Sequence, residues 1–338
     1  MTDYNVYMLK GKLGEATPEP LAIKGNKSTI KVGKSAYSEK LIYNTLTNTG
    51  GSFNRAGAKF SNFYLFDMKT PVWVVFDFTY KGIKYTSTVK DRCLYNDITT
   101  YMTEENERYF TTFPPETETA LRQAQTNLLN SIQGMYNSVK DFGITAPSTY
   151  SPAVSVSGLT YDSTTDGTYK FSSTTAIRNI EPWGLEYSFN LVGQTVTDFA
   201  DYGAVVFTDN DGSINKEIFS KADWFSNEEL MSNSVMYSKS AGNVYLSEDE
   251  SAVEIYYVKN MSALNFNKNT YALFFVKDSD GKTYYSDVVS NSYNSVASAS
   301  AEDTSDPNNA AISRSIIDYS TALINYAELI KKAEEQNG

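Results

Sequence analysis

The chain has 338 residues, 41% of them hydrophobic, and a formal net charge of -11. That length favours two domains. The acidic balance argues against nucleic acid as a partner, since such binding rests on clustered Lys and Arg that release counterions from phosphate. One cysteine, Cys93, and no histidine exclude an intramolecular disulfide, a His-based metal site and a Ser-His or Cys-His nucleophile pair.

The abundance of Tyr, Phe, Ser, Thr and Asn suits half-buried pleated surfaces and predicts a mainly β chain with two long helices. Residues 1–59 read as an irregular N-terminal region with edge strands. A first strand falls at 5–9 (NVYML), and 24–34 (KGNKSTIKVGK) carries four lysines, suited either to an anionic surface or to a guarded strand edge. A first β unit spans 60–146. It opens with a strand at 60–68 (FSNFYLFDM), followed by an apolar strand VWVVFDF at 72–78 and, past Lys81-Gly82, a second arm IKYTSTVK. A helix over 116–142 closes it. Leu121, Ala124, Leu128, Ile132, Met135, Val139 and Phe142 recur at three- and four-residue spacing on one face. Cys93 is expected to be a small buried residue behind the hairpin.

A linker is expected at 146–152 and a second β unit over 151–336. Its elements are alternating strands from 153, a turn at 162–167, a strand at 185–191, further strands at 203–207, 244–246 and 253–258, and helical turns near 215–222 and 227–231. A hairpin follows, YALFFV at 271–276 and KTYYSDVV at 282–289 around Asp278-Ser279-Asp280-Gly281. Residues 298–309 read as a loop, and a terminal helix over 310–335 places Ile316, Tyr319, Leu323, Tyr326 and Ile330 on one stripe. Shifting by 199 residues superposes Phe76 on Phe275, Gly82 on Gly281, Tyr85 on Tyr284, Ser87 on Ser286 and Val89 on Val288. The hairpin followed by a helix is therefore read as a repeated unit.

Little in this inventory points to chemistry. The Asp-Gly turns at 162–167, 209–212 and 278–281 lack the acidic spacing and twelfth-position Glu of a calcium loop, so no metal site and no cofactor is expected. Asp77 and Glu254 are the acids that stand inside apolar runs, each explained as a solvent-facing strand position, and no catalytic residue is assigned. Among Trp73, Trp183 and Trp224, Trp183 in the Glu-Pro-Trp-Gly turn is the candidate for binding a cell-surface glycan, with a Trp that plugs one end of a sandwich as the equal alternative. No run reaches the eighteen or so apolar residues of a membrane span, and residues 1–13 lack the pattern of a signal peptide.

The stretches Ile177-Arg178-Asn179-Ile180-Glu181-Pro182-Trp183-Gly184-Leu185, Tyr202-Gly203-Ala204-Val205-Val206, Asp278-Ser279-Asp280-Gly281-Lys282 and Ile317-Asp318-Tyr319 carry a resemblance. Through them residues 155–332 resemble the immunoglobulin-like repeats of large surface proteins of Gram-positive gut bacteria. The resemblance implies tandem immunoglobulin-like β-sandwich units, each followed by a helix, that serve as non-catalytic spacers or adhesive modules. The lack of a signal peptide adds the expectation of a phage virion protein, an accessory of capsid or tail, beside that of a bacterial surface component. Protein partners or self-association are expected. The alternative is a carbohydrate-binding or adhesion module of a secreted protein.

Overall fold

A computed structural model describes residues 94–141, 155–165, 169–215, 219–259 and 261–337, with shorter segments at 2–10, 19–20, 22–23, 26–29, 31–32, 42–48, 51–57, 65, 68–69, 72–80 and 83–86. Cys93, the linker at 146–152 and Phe142 lie outside the described residues. The chain divides into two compact units, one of residues 1–136, 146–148 and 329–338, the other of residues 137–145 and 149–328.

The first unit holds an antiparallel sheet of six strands. β1 (Thr2–Lys10) pairs with β8 (Val72–Tyr80), and the order runs β10 (Leu94–Asn96), β8, β1, β2 (Glu19–Pro20). β5 (Lys31–Val32) also pairs with β1, and β9 (Ile83–Thr86) with β8. Two separate hairpins join β3 (Ala22–Ile23) to β4 (Asn26–Thr29) and β6 (Ile42–Asn48) to β7 (Gly51–Gly57). At the strand expected over 60–68, Leu65 and Met68 instead lie in a turn, the Met68 N–H donating to the Leu65 carbonyl.

Helix α1 (Ile98–Phe110) follows β10 directly. Asp97 caps it, accepting the Thr100 N–H at 2.9 Å and the Thr99 hydroxyl, so one of the orphan backbone donors of the first turn is satisfied. Helix α2 (Pro115–Asp141) begins with proline, whose missing N–H costs nothing at a first helical position. Leu121, Ala124, Leu128, Ile132, Met135 and Val139 are its buried face.

The second unit is built on two antiparallel sheets. One has five strands, β11 (Ser155–Thr165), β12 (Tyr169–Arg178), β13 (Gly184–Leu191), β17 (Val253–Lys259) and β16 (Tyr245–Leu246), in that order. The other has four, β15 (Val235–Ser238), β14 (Asp201–Thr208), β18 (Asn269–Lys277) and β19 (Thr283–Ser292). Period-two burial along β13 turns Leu185, Tyr187, Phe189 and Leu191 inward. Phe189 stacks on Phe274 of β18 with ring centroids 4.9 Å apart, and the Tyr187 hydroxyl donates to the Thr270 carbonyl at 3.0 Å. The two sheets thus meet face to face. β18 is buried from Thr270 to Val276 because its other face is covered too, by two short helices, α3 (Lys221–Ser226) and α4 (Glu228–Asn233).

Two further helices complete this unit. α5 (Tyr293–Glu302) starts at a capping box of Ser292 and Ser295, and Tyr293 stacks on Phe266 at 3.9 Å. α6 (Pro307–Asn337) follows after four residues and crosses the division between the units. Its Ser313 hydroxyl donates to Ser300, and Arg314 donates to the Ala301 carbonyl at 2.6 Å.

These observations overturn the expected fold class. The described residues form six helices, and where side chains are described about 47% of residues are helical against 27% in strands. The chain is not mainly β with two long helices, nor a tandem of immunoglobulin-like sandwiches each ending in one helix. Its first unit has one large sheet, and the β8–β9 and β18–β19 hairpins each lead to a pair of helices, the first by way of β10. The repeat also differs from the one proposed by the 199-residue shift. β8 and β9 pair Phe78 with Tyr85, whereas β18 and β19 pair Val276 with Tyr284, one residue out of step. What recurs is a short helix, a four-residue link and a long helix opened by proline, Pro115 and Pro307. Residues 298–309 read as loop because large apolar side chains are missing. Alanine is nonetheless the best helix former, and Val296, Ala297, Ser300 and Ala301 form a narrow buried face.

Candidate docking groove beside the helical insertion

The chain between β14 and β15 leaves the sheet and returns to it. The exit is set by Asp209, which is 1% exposed. Its Oδ1 accepts the N–H groups of Gly212 and Ser213 at 3.0 and 3.2 Å, and its Oδ2 accepts that of Ile214 at 3.0 Å. Gly212 turns the loop with φ of 74°. The Asp209–Gly212 stretch is thus a carboxylate-organised exit loop, whereas Asp278–Gly281 is a hairpin turn whose Asp278 accepts the N–H groups of Asp280 and Lys282. Among the described residues no group of three or more His, Cys, Asp or Glu could hold a metal ion.

Beyond the exit, Trp224 pins α3 to the sheet. It is fully buried against Val205, Tyr271 and Leu273, with Phe219, Ile214 and Leu230 packed around that cluster. The indole N–H donates to the Ser234 hydroxyl at 2.9 Å. Ser220 and Asp223 cap α3 reciprocally. Asn227 ends α3 and caps α4, its Oδ1 accepting the N–H groups of Glu229 and Leu230 at 3.0 and 3.1 Å. Two helices of six residues each are far too short to stand alone, so burial of Trp224 and these caps hold them.

Between the exit loop and α4 lies an open groove of about 670 Å³, joined to a second hollow of about 590 Å³ that shares Ile214, Asn227, Glu229 and Leu230 with it. Ile214, Phe219 and Leu230 are its apolar floor; Asp211, Asp223, Glu228 and Glu229 are among the residues at its rim. Hydrogen bonds from Ser213 hold the Asp211 carboxyl below its ordinary range, and those from Ser220 do the same for Asp223. No lysine or arginine lines the groove among the described residues. Lys216 and Glu217, one of each sign, lie outside them.

The residues expected to carry binding stand elsewhere. Trp183 is 2% exposed, edge-on to Phe266 at 5.1 Å and against Tyr319 at 5.9 Å. It is a core residue and offers no face to a glycan. The surrounding motif is a clasp for α6: the buried Asn179 donates to Asn309 at 3.0 Å, and the Met261 N–H donates to the Trp183 carbonyl at 2.9 Å. Trp224 is buried as described, and the side chains of Trp73 and Asp77 on β8 lie outside the described residues. Glu254 stands on the half-buried face of the five-stranded sheet that points away from the four-stranded one. Glu186, to which the sequence assigns no site role, joins it there one strand over, since Ser188 pairs with Glu254 and Glu186 with Tyr256. Burial, and secondarily the Glu254 charge, push the Glu186 carboxyl up to about 7.

Comparison with protein-family models, curated proteins and solved structures gives no match.

Proposed function

We propose that the chain is a non-enzymatic structural and binding protein, carried on a phage particle or a bacterial surface, that docks onto protein partners or further copies of itself. The observation that carries this reading is the groove between the exit loop and α4. It is open and shallow, with an apolar floor resting on a fully buried cluster, which suits a surface that accepts a partner's side chain without rearranging. Support also comes from the packing of the second unit, whose aromatic side chains interlock from sheet to sheet and from loop to helix. The resemblance of residues 155–332 to surface-protein repeats points the same way. Glycan binding through Trp183 has no support, because that ring is enclosed.

The test is association. Purified protein should sediment with a concentration-dependent mass, or should be recovered in fixed proportion with purified particles or cell envelopes of the organism that encodes it. A strictly monomeric protein absent from both would defeat the proposal. No described helix is long and apolar enough to cross a membrane, so attachment through such a helix is not part of this reading.

A further inference from the structure

We propose that the groove receives a lysine- or arginine-bearing stretch of a protein partner, with one apolar side chain seated on Ile214, Phe219 and Leu230 and its cations over Asp211, Asp223, Glu228 and Glu229. This rests on the docking function above and names the chemistry of the partner. Three observations converge on it. The floor is fixed: Phe219 packs edge-on to Tyr271 with centroids 4.7 Å apart, and the Tyr271 hydroxyl donates to the Ile214 carbonyl at 3.2 Å. An anchor therefore meets a preformed seat and costs little ordering.

Among the described residues the rim charge is of one sign, and it is held. Serine hydroxyls and N–H groups donate to Asp211 and Asp223 and hold both carboxyls below their ordinary range. Lys221, which belongs to α3, extends over the Tyr285 ring with its Nζ 5.9 Å from the centroid. Finally, the rim acids are spread along the groove and do not converge as a metal site requires. A row of separated carboxylates matches cations carried at intervals on a polypeptide. The same row repels nucleic acid and anionic lipid.

The probe is a synthetic peptide with the sequence of residues 24–34, KGNKSTIKVGK, which sets four lysines around Ile30 and Val32. It is titrated calorimetrically into the full chain beside a version with every lysine replaced by glutamate. Binding of the lysine peptide alone is expected, weakening with added salt. The double variant Glu228→Lys with Glu229→Lys should lose affinity by at least about tenfold, and Glu248→Lys, on the loop after β16, should not. Thermal melting confirms that each variant is folded.

No binding of the lysine peptide at millimolar concentration, equal binding of the glutamate peptide, or undiminished binding by the double variant would each overturn the assignment. The association assay with the double variant separates the two claims. If it associates as the parent does, the groove is not the docking site while the docking function stands; if the parent does not associate, the function falls and the titration still judges the groove.

Discussion

Glu186 shows how one side chain sets a pH dependence for the whole unit. Its carboxyl titrates near 7 in the folded protein, against 4.5 for an ordinary glutamate, through burial first and the neighbouring Glu254 second. A folded-state pKa above the unfolded one means that the folded chain holds a proton which the unfolded chain has lost. The contribution is therefore fully present below about pH 4.5 and is lost as pH rises to about 7. Because the group is partly solvated, the loss is on the order of 1–2 kcal/mol, less than its pKa shift alone implies. Glu186→Gln should abolish that slope in urea unfolding between these pH values and raise stability at neutral pH. A slope unchanged in the variant would show that other groups carry it. Neither the burial of Glu186 nor its partner could be read from the sequence, because both depend on which strand lies beside β13. The alternation of Leu185, Tyr187, Phe189 and Leu191 was legible, since a strand's period of two is a local property.

At the scale of elements, β15 is an edge strand that lacks the usual guards. It has no charge, and its consecutive Val235 and Met236 are 44% and 57% exposed. Protection comes from Asn243 in the following loop. Its Oδ1 accepts the Ser238 N–H at 2.8 Å and its Nδ2 donates to the Met236 carbonyl at 3.3 Å, the outward groups that an added strand would take. The loop returns through Gly242, with φ of 67°, while Asp201 accepts both the N–H and the hydroxyl of Ser240. On the inner side, a Cβ at Gly203 would fall 1.8 Å from the Tyr237 carbonyl oxygen, so β15 lies tight against β14 only because that residue is glycine. Asn243→Ala should cost about 1–3 kcal/mol for two lost hydrogen bonds and open the edge. Sedimentation velocity should then show association beyond that of the parent, reversed by adding Met236→Lys. Sedimentation identical to the parent would discard the guard role.

The sequence offered β15 no signal at all, being four residues without alternation. It did mark YALFFV as one arm of a hairpin closed by Asp278-Ser279-Asp280-Gly281, since an apolar run ending at an Asp-Gly turn is a local signal. The groove was illegible for the same reason as Glu186. Ile214, Phe219 and Leu230 are ordinary apolar residues, and burial of Trp224 together with the caps at Ser220 and Asn227 decides where α3 and α4 sit.

At the scale of the molecule, the long helices are structural members of the units and not appendages. Asn309 and Tyr319 of α6 meet Asn179 and Trp183 across more than a hundred residues of chain, and Ser320 donates to Asn294 of α5 at 3.1 Å. Burial also drives the hydroxyls of Tyr293 and Tyr319 well above the ordinary tyrosine range, as expected where helix and sheet exclude water. Tyr319→Ala removes the cover of Trp183 and should cost about 3 kcal/mol in urea unfolding. A loss below about 1 kcal/mol would mean that α6 rests on this unit only lightly. The helices themselves were visible in the spacing of Leu121 to Val139 and Ile316 to Ile330. Their pairing with α1 and α5 was not, because the small residues of α5 and the polar ones of α1 resemble loop composition.

The clasp around Trp183 also bears on the order of events during synthesis. Strands β12 and β13 leave the ribosome long before Asn309 and Tyr319 are made, so the indole and the Asn179 amide must wait without their final partners. A nascent chain halted at residue 305 would hold both sheets yet leave Trp183 open to solvent and to chaperones. This unit is thus completed by α6, and its maturation waits on that helix.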